Sequence, residues 1–236
     1  MRLRWRCAIV AVCCCVAAGV NETLAQPDTA LNVSIGLHGE YGFTSLSVRP
    51  YAATHGGKRF GGGVSVRLDN SKIFGANIEL NYAASSYRVV EEVPRPFNEQ
   101  TFTPGEQECQ QRWLELPIIA EIGYRFPMWR VYALGGGYAD FLLAEKFGAR
   151  GALQRQQVLF STHYRFGGGL VGGAGVGIET RYGALIFEYR AAVRLVNLYK
   201  RTLESGIDIL RQRLSSQSFG LSYYYTFTVR KKERNE

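Results

Sequence analysis

No apolar run in this chain approaches the roughly 18 residues that a membrane-spanning helix needs, although 46% of its 236 residues are hydrophobic. Methionine occurs twice and histidine three times, at His38, His55 and His163, far apart and without metal-ligand spacing. Cysteine is nearly confined to the first fifteen positions, so the remaining thiol, Cys109, has no second cysteine in the body of the chain to form a disulfide with. A lone cysteine in an exported chain can pair with another chain, but the expectation for Cys109 is an idle thiol in a loop. Lysine is almost missing from the segments that alternate, where the basic residue is arginine. Aromatic-basic nucleic-acid motifs are also lacking, so the net charge of +8 is read as dispersed surface charge and no nucleic-acid partner is expected. No cofactor motif stands in its proper context.

The first 25 residues read as an export signal. Arg2, Arg4 and Arg6 form a basic start, Cys7 to Val20 an apolar stretch too short to span a bilayer, and Thr23-Leu24-Ala25 a small-residue cleavage site. Cleavage between Ala25 and Gln26 would remove Cys7, Cys13, Cys14 and Cys15. A lipid-bearing cysteine would need a small residue before it, but Val12 precedes Cys13. The expected organisation is a signal over 1–25, one domain over 26–230 and a basic C-terminal tail over 231–236.

What is abundant is a period of two, with 14 tyrosines and 13 phenylalanines favouring strands. The clearest segment is WLELPIIAEIGYRF, Trp113 to Phe126. Leu114, Leu116, Ile118, Ala120, Ile122, Tyr124 and Phe126 share one face; Trp113, Glu115, Pro117, Ile119, Glu121, Gly123 and Arg125 share the other. Similar alternation runs from Leu31 to Tyr41, Arg59 to Leu68, Phe74 to Tyr82, Leu185 to Leu195 and Ser218 to Phe227. With 130–142, whose facing the pattern leaves ambiguous, and the glycine-rich Arg165–Thr180, eight strands are expected. Tight links at 69–72, 127–130 and 181–183 alternate with long ones at 44–58, 88–111, 143–161 and 197–215. A helical turn is expected within the last, over Leu203–Leu214.

That alternation of short and long links fits an antiparallel up-and-down meander with its long loops at one end. The fold class expected is therefore all-β: an eight-stranded antiparallel transmembrane β-barrel of the outer membrane. Facing separates it from a soluble barrel. One face is Leu, Ile, Val, Phe and Tyr with almost no charge. The other carries Glu40, Arg67, Glu79, Glu115, Glu121, Arg125, Glu179, Glu188, Arg190 and Arg194 among Gly, Ser and Asn. Arginine without lysine suits acid–arginine pairing in a narrow lumen, because the planar guanidinium fits a buried carboxylate. These ten residues are expected to form a lumenal ion network. Aromatics should form two interfacial girdles: Tyr41, Phe43, Phe60, Tyr82, Trp113 and Tyr199 at the long-loop end, and Phe74, Tyr124, Phe126, Trp129, Tyr182 and Phe227 at the short-turn end.

The segment GGGLVGGAGVG, Gly167 to Gly177, contains Gly167, Gly169 and Gly172 in a G-x-G-x-x-G spacing. A phosphate-cradling turn would need a helix to follow, and a strand follows instead. Alternation turns Gly167, Gly169, Gly173, Gly175 and Gly177 inward, a bare wall that leaves room for long side chains from elsewhere.

LELPIIAEIGYRF (114–126), VYALGGGYADFLL (131–143) and GGAGVGIETRYGALIFEYRAAVRLVNL (172–198) carry a family resemblance. The Leu-Pro pair inside a strand, the Tyr-x-x-x-Gly strand after it and the glycine-rich strand leading through Arg-Tyr resemble the PorT-like outer-membrane β-barrels of Bacteroidetes. That resemblance implies a membrane barrel and carries no catalytic residues; one member's tie to protein secretion is not transferable. The expected partners are outer-membrane lipid and an unidentified protein or envelope component at the external loops. No enzyme, cofactor or metal is expected. The expected role is structural or binding through the external loops, without an open pore; the alternatives are a small-solute channel, disfavoured by the narrow lumen, and a lipid-modifying enzyme, for which Ser161-Thr162-His163 is the only close Ser/His pair.

Overall fold

The structure, a computed structural model, describes residues 31–49, 53–69, 73–90, 106–149, 153–156, 164–180, 183–198 and 211–229. The signal 1–25, the tail 231–236, Tyr182, Tyr199 and Ser161-Thr162-His163 lie outside the described residues.

Eight long strands close into a barrel: β1 Leu31–Arg49, β2 Ala53–Asp69, β3 Phe74–Val90, β4 Glu106–Arg125, β5 Trp129–Ala149, β7 Phe166–Thr180, β8 Gly183–Arg194 and β9 Arg211–Val229. Each pairs antiparallel with its neighbours, and the β4–β5 and β1–β9 ladders complete the ring. A three-residue strand, β6 Gln154–Gln156, adds to the upper part of β5 outside that ring. Closure removes every free edge in the bilayer, so each backbone polar group finds a partner without water.

The register fixes the tilt. Starting at Asn32 and stepping across ladders, the path runs through Asp69, Gly75, Glu121, Leu134, Gly173, Arg190 and Ser218 and returns to β1 at Gly42, ten residues along from Asn32. Such a stagger inclines the strands by about 40° and leaves an interior just wide enough for side chains to fill.

Outward residues are apolar along the strands, as at Ile118 and Leu170, 59% and 53% exposed, and Leu221, 55% exposed. At the short-turn end Phe74, Tyr124, Phe126, Trp129 and Phe227 face out, with Tyr124 and Phe126 rings 4.8 Å apart. At the other end Tyr41, Phe43, Phe60 and Tyr82 do so, with Tyr41 5.1 Å from Phe60, joined by the Phe141–Phe166 pair. About ten residues of inclined strand separate the belts, close to the ~25 Å apolar band of such barrels.

Four expectations need correction. Trp113 is not in a girdle: its parity carries it inside, where it is buried under the Arg194 guanidinium. Cys109 is not in a loop: it lies within β4, fully buried, and its thiol donates to Glu145 at 3.0 Å. The long links are shorter than 44–58, 88–111 and 143–161 imply, because polar residues continue the ladders beyond the girdle; Arg49, Val90, Glu106 and Ala149 are all in strands. Residues 211–214 of the expected helical turn are strand, paired with Leu46–Arg49, while 203–210 lie outside the described residues.

Candidate functional site

The interior is the candidate site, and its residues arrive there by parity. Inward positions on one strand meet inward positions on strands across the lumen, far away in sequence. At the short-turn end Arg130 donates to Asp69 at 2.8 Å and to Glu121 at 3.0 Å, while Arg125 reaches Asp69 at 3.1 Å and Glu179 at 2.9 Å. Arg67 also bonds Glu121, and its guanidinium sits over the rings of Tyr132 and Tyr224, 5.0 and 5.5 Å from their centroids. Ile119, Leu134, Ala184 and Ile186 pack around those two tyrosines as an apolar layer.

Near mid-height Arg190 holds Glu79 through both terminal nitrogens, at 2.7 and 2.6 Å, and Glu188 through Nε at 3.0 Å. Asn77 and Asn81 donate to the same Glu79 carboxylate at 2.7 and 2.9 Å, and His38 Nε2 lies 3.7 Å from it. Tyr132 donates to Glu188. Bidentate arginine and several neutral donors satisfy most lone pairs of a carboxylate held away from water.

Higher up, Arg59 bridges Glu40, at 2.8 Å, and Glu115, at 2.6 Å, with Ser218 donating to Glu40 at 2.9 Å. Arg194 forms an ion pair with Asp140 at 2.9 Å that lacks hydrogen-bond alignment. Above it the interior turns apolar again. Leu46, Ala83, Tyr87, Cys109, Trp113, Leu142 and Leu198 form a buried cluster that caps the ionic layers. Between the layers is a cavity of about 40 Å³ lined by Glu40, Arg59, Glu115, Tyr138 and Arg190 among others, room for a water and too small for a solute path.

The structure points inward all ten residues that the alternation placed on the polar face: Glu40, Arg67, Glu79, Glu115, Glu121, Arg125, Glu179, Glu188, Arg190 and Arg194. Glu40 and Glu115 meet on Arg59, Arg67 and Glu121 on each other, Glu79 and Glu188 on Arg190, and Arg125 and Glu179 on each other. Arg194 meets none of the other nine in an ion pair; its partner is Asp140. Sequence reasoning missed Arg59, Asp69, Arg130 and Asp140. Arg59 and Asp69 share the parity of Arg67, a usable signal. Asp140 and Arg130 lie on β5, which the pattern left ambiguous. There Tyr132, Leu134, Tyr138 and Asp140 face in, while the outward side has the small Ala133, Gly135 and Ala139.

The inward glycines of β7 make way for neighbouring strands rather than opposite ones. A Cβ at Gly175 would stand 2.5 Å from the Tyr132 ring, one at Gly169 2.7 Å from Tyr138, and one at Gly167 against the Arg194 guanidinium and 2.6 Å from Asp140. Tyr132, Tyr138 and Asp140 come from β5 and Arg194 from β8, the two strands that pair with β7.

Among solved structures, the chain is similar to the attachment invasion locus protein Ail of Yersinia pestis, with 14% identity over 84% of this chain and 99% of that one and a TM-score of 0.35. It is also similar to Neisserial surface protein A, with 11% identity, 80% and 96% coverage and a TM-score of 0.42. The outer membrane protein OprG of Pseudomonas aeruginosa shows 10% identity, 85% and 97% coverage and a TM-score of 0.42. With TM-scores below 0.5, these similarities carry no functional weight. No curated protein matches the chain significantly. Residues 24–198 match the family described as outer membrane protein beta-barrel domain, and the chain belongs to that family of lipid-embedded outer-membrane barrels.

Proposed function

We propose that this protein is a closed, non-conducting barrel that anchors an external binding surface in the outer membrane. The observation that carries the reading is the filling of the lumen. Ionic layers centred on Arg67, Arg190 and Arg59 alternate with two apolar clusters, the upper one lying across the end where the strands run furthest beyond the girdle. A water-filled path would have to break several buried ion pairs at once. The extended end faces outside, by analogy with the short periplasmic turns and long external loops of such barrels. Its loops would bind a protein or envelope component. Within its family the chain is read as PorT-like, on Leu116-Pro117 inside β4 and the glycine-rich β7, with no secretion role implied. The lumenal residues are structural, and none is assigned a catalytic role. Export would follow cleavage after Ala25, giving a mature protein that starts at Gln26, with the basic tail 231–236 on the periplasmic side.

Full-length protein reconstituted into planar bilayers tests the reading. No reproducible conductance steps are expected at moderate voltage. Stable steps on the nanosiemens scale would establish a channel and overturn it.

A further inference from the structure

The exposed charges just beyond the upper girdle are nearly all of one sign. Lys58 is paired with girdle residue Phe43. Arg112 lies two residues past Leu114, the partner of Tyr82, and Arg213 pairs with Ser47, four residues past Phe43. Lys146 and Arg155 stand one tier higher, on β5 and β6. All five are exposed, on strands β2, β4, β5, β6 and β9, and so spread around the barrel. Among the described residues none of them forms an ion pair. The acid on this outer tier, Glu108, is opposite Arg88 and accepts from Gln110 at 2.9 Å.

The arrangement is unfavourable by itself. Lys146 and Arg155 are direct cross-strand partners, and like charges directly opposite repel. Arg112 is on the adjacent strand, opposite Ala144, a diagonal neighbour of Lys146. Glu108, the other diagonal neighbour of Lys146, is opposite Arg88 and bonded to Gln110, so the cations on this outward face outnumber the one acid beside them and call for an external anion. Their level identifies it. Arg112 projects sideways just above the apolar band, and Lys146 and Arg155 one tier higher, so the anion they meet belongs to the headgroups of the lipid that surrounds the barrel. We propose that this belt, with Arg112, Lys146 and Arg155 at its centre, binds the phosphate groups of the phosphorylated glycolipid in the outer leaflet. Long arginine and lysine side chains lay their stems along apolar surface and reach such phosphates from slightly above.

The proposal rests on the reading that the extended end faces outside. Its test is independent of that reading, because symmetric vesicles carry the lipid in both leaflets. Full-length protein is reconstituted in phosphatidylcholine vesicles with increasing lipid A, with a chelator present so that divalent cations cannot bridge phosphates. Binding is read as the rise in unfolding temperature. A basic residue near a membrane surface contributes about fivefold in affinity. The triple variant Arg112→Gln/Lys146→Gln/Arg155→Gln should therefore need on the order of a hundredfold more lipid A for the same shift. Its unfolding temperature without lipid A should stay equal to or above wild type, since the changes relieve repulsion. Dephosphorylated lipid A should give no shift. An unchanged titration in the triple variant, or an equal shift with the dephosphorylated lipid, overturns the proposal. If millimolar inorganic phosphate alone reproduces the shift, the belt is a site for free anions and the lipid assignment falls. Failure of the outward orientation would appear separately, as protection of the extended end from external labelling in cells.

Discussion

Replacing Arg190 with methionine tests whether the interior is sealed. Arg190, 7% exposed, makes four hydrogen bonds to Glu79 and Glu188, which are 1% and 2% exposed. Arg190→Met keeps much of the volume and strands both carboxylates. Removing one partner from a buried ion pair costs about 3–5 kcal/mol. Glu79 retains Asn77 and Asn81, and Glu188 retains Tyr132, so the lower end, about 3 kcal/mol, is expected. That is on the order of a hundredfold in the folding equilibrium. The triple variant Glu79→Gln/Glu188→Gln/Arg190→Met leaves no stranded charge and should recover at least half of the loss. Urea unfolding in phosphatidylcholine vesicles, followed through Trp129 on the lipid face, gives the numbers. A loss below about 1 kcal/mol for the single variant would place it with exposed ion pairs. The interior would then be hydrated and the sealed lumen refuted. A triple variant as damaged as the single one would refute the electrostatic origin of the loss.

Glycine facing makes a paired prediction. Gly175→Ala presses a methyl on the Tyr132 ring and should cost about 1–3 kcal/mol, whereas Gly135→Ala, with nothing within 4 Å of its Cβ, should be neutral or stabilising in the same urea series. Ile118→Arg places a charge on the outward face near mid-band and should cost roughly 2–4 kcal/mol. Glu121→Gln should cost a comparable amount, because Arg67 and Arg130 both rely on that carboxylate; a silent Glu121→Gln would show that the guanidiniums find water. With Cys109 changed to serine, Ile118→Cys should react with a lipid-soluble thiol probe and not with a water-soluble one, and the opposite pattern would mean that the facing is reversed. Wild-type Cys109 should resist water-soluble maleimide in the folded barrel and react on unfolding, since the thiol is buried against Glu145; labelling of the native state would contradict the apolar cap.

A period of two makes facing a local property. Once Glu115 is known to face in, Glu121 and Arg125 follow, and a slip by one residue would turn every side chain over. That is why the strands, their outward face and ten inward charged residues are readable from the chain alone. The same argument explains the failure at β5, where small residues face lipid and Tyr132, Leu134 and Tyr138 face in, so hydrophobicity no longer separates the sides. It explains the misplaced Trp113 too: an aromatic near a girdle was assigned by its height, against the parity that its neighbours obeyed.

Partnership, by contrast, was decided by the tertiary structure. Glu79 and Arg190 are 111 positions apart, and Arg67 and Glu121 54 apart, so no local pattern specifies either contact. They meet because the ladders stagger by ten residues around the closed ring, which brings inward residues from distant strands to one level. Closure also decided that the interior is layered, that β7 stays bare for the side chains of β5 and β8, and that cations scattered along the chain gather in one belt above the girdle. Alternation along a strand depends only on the two-residue pleat of the backbone. Height across a barrel depends on every register at once, and only the closed sheet contains that information.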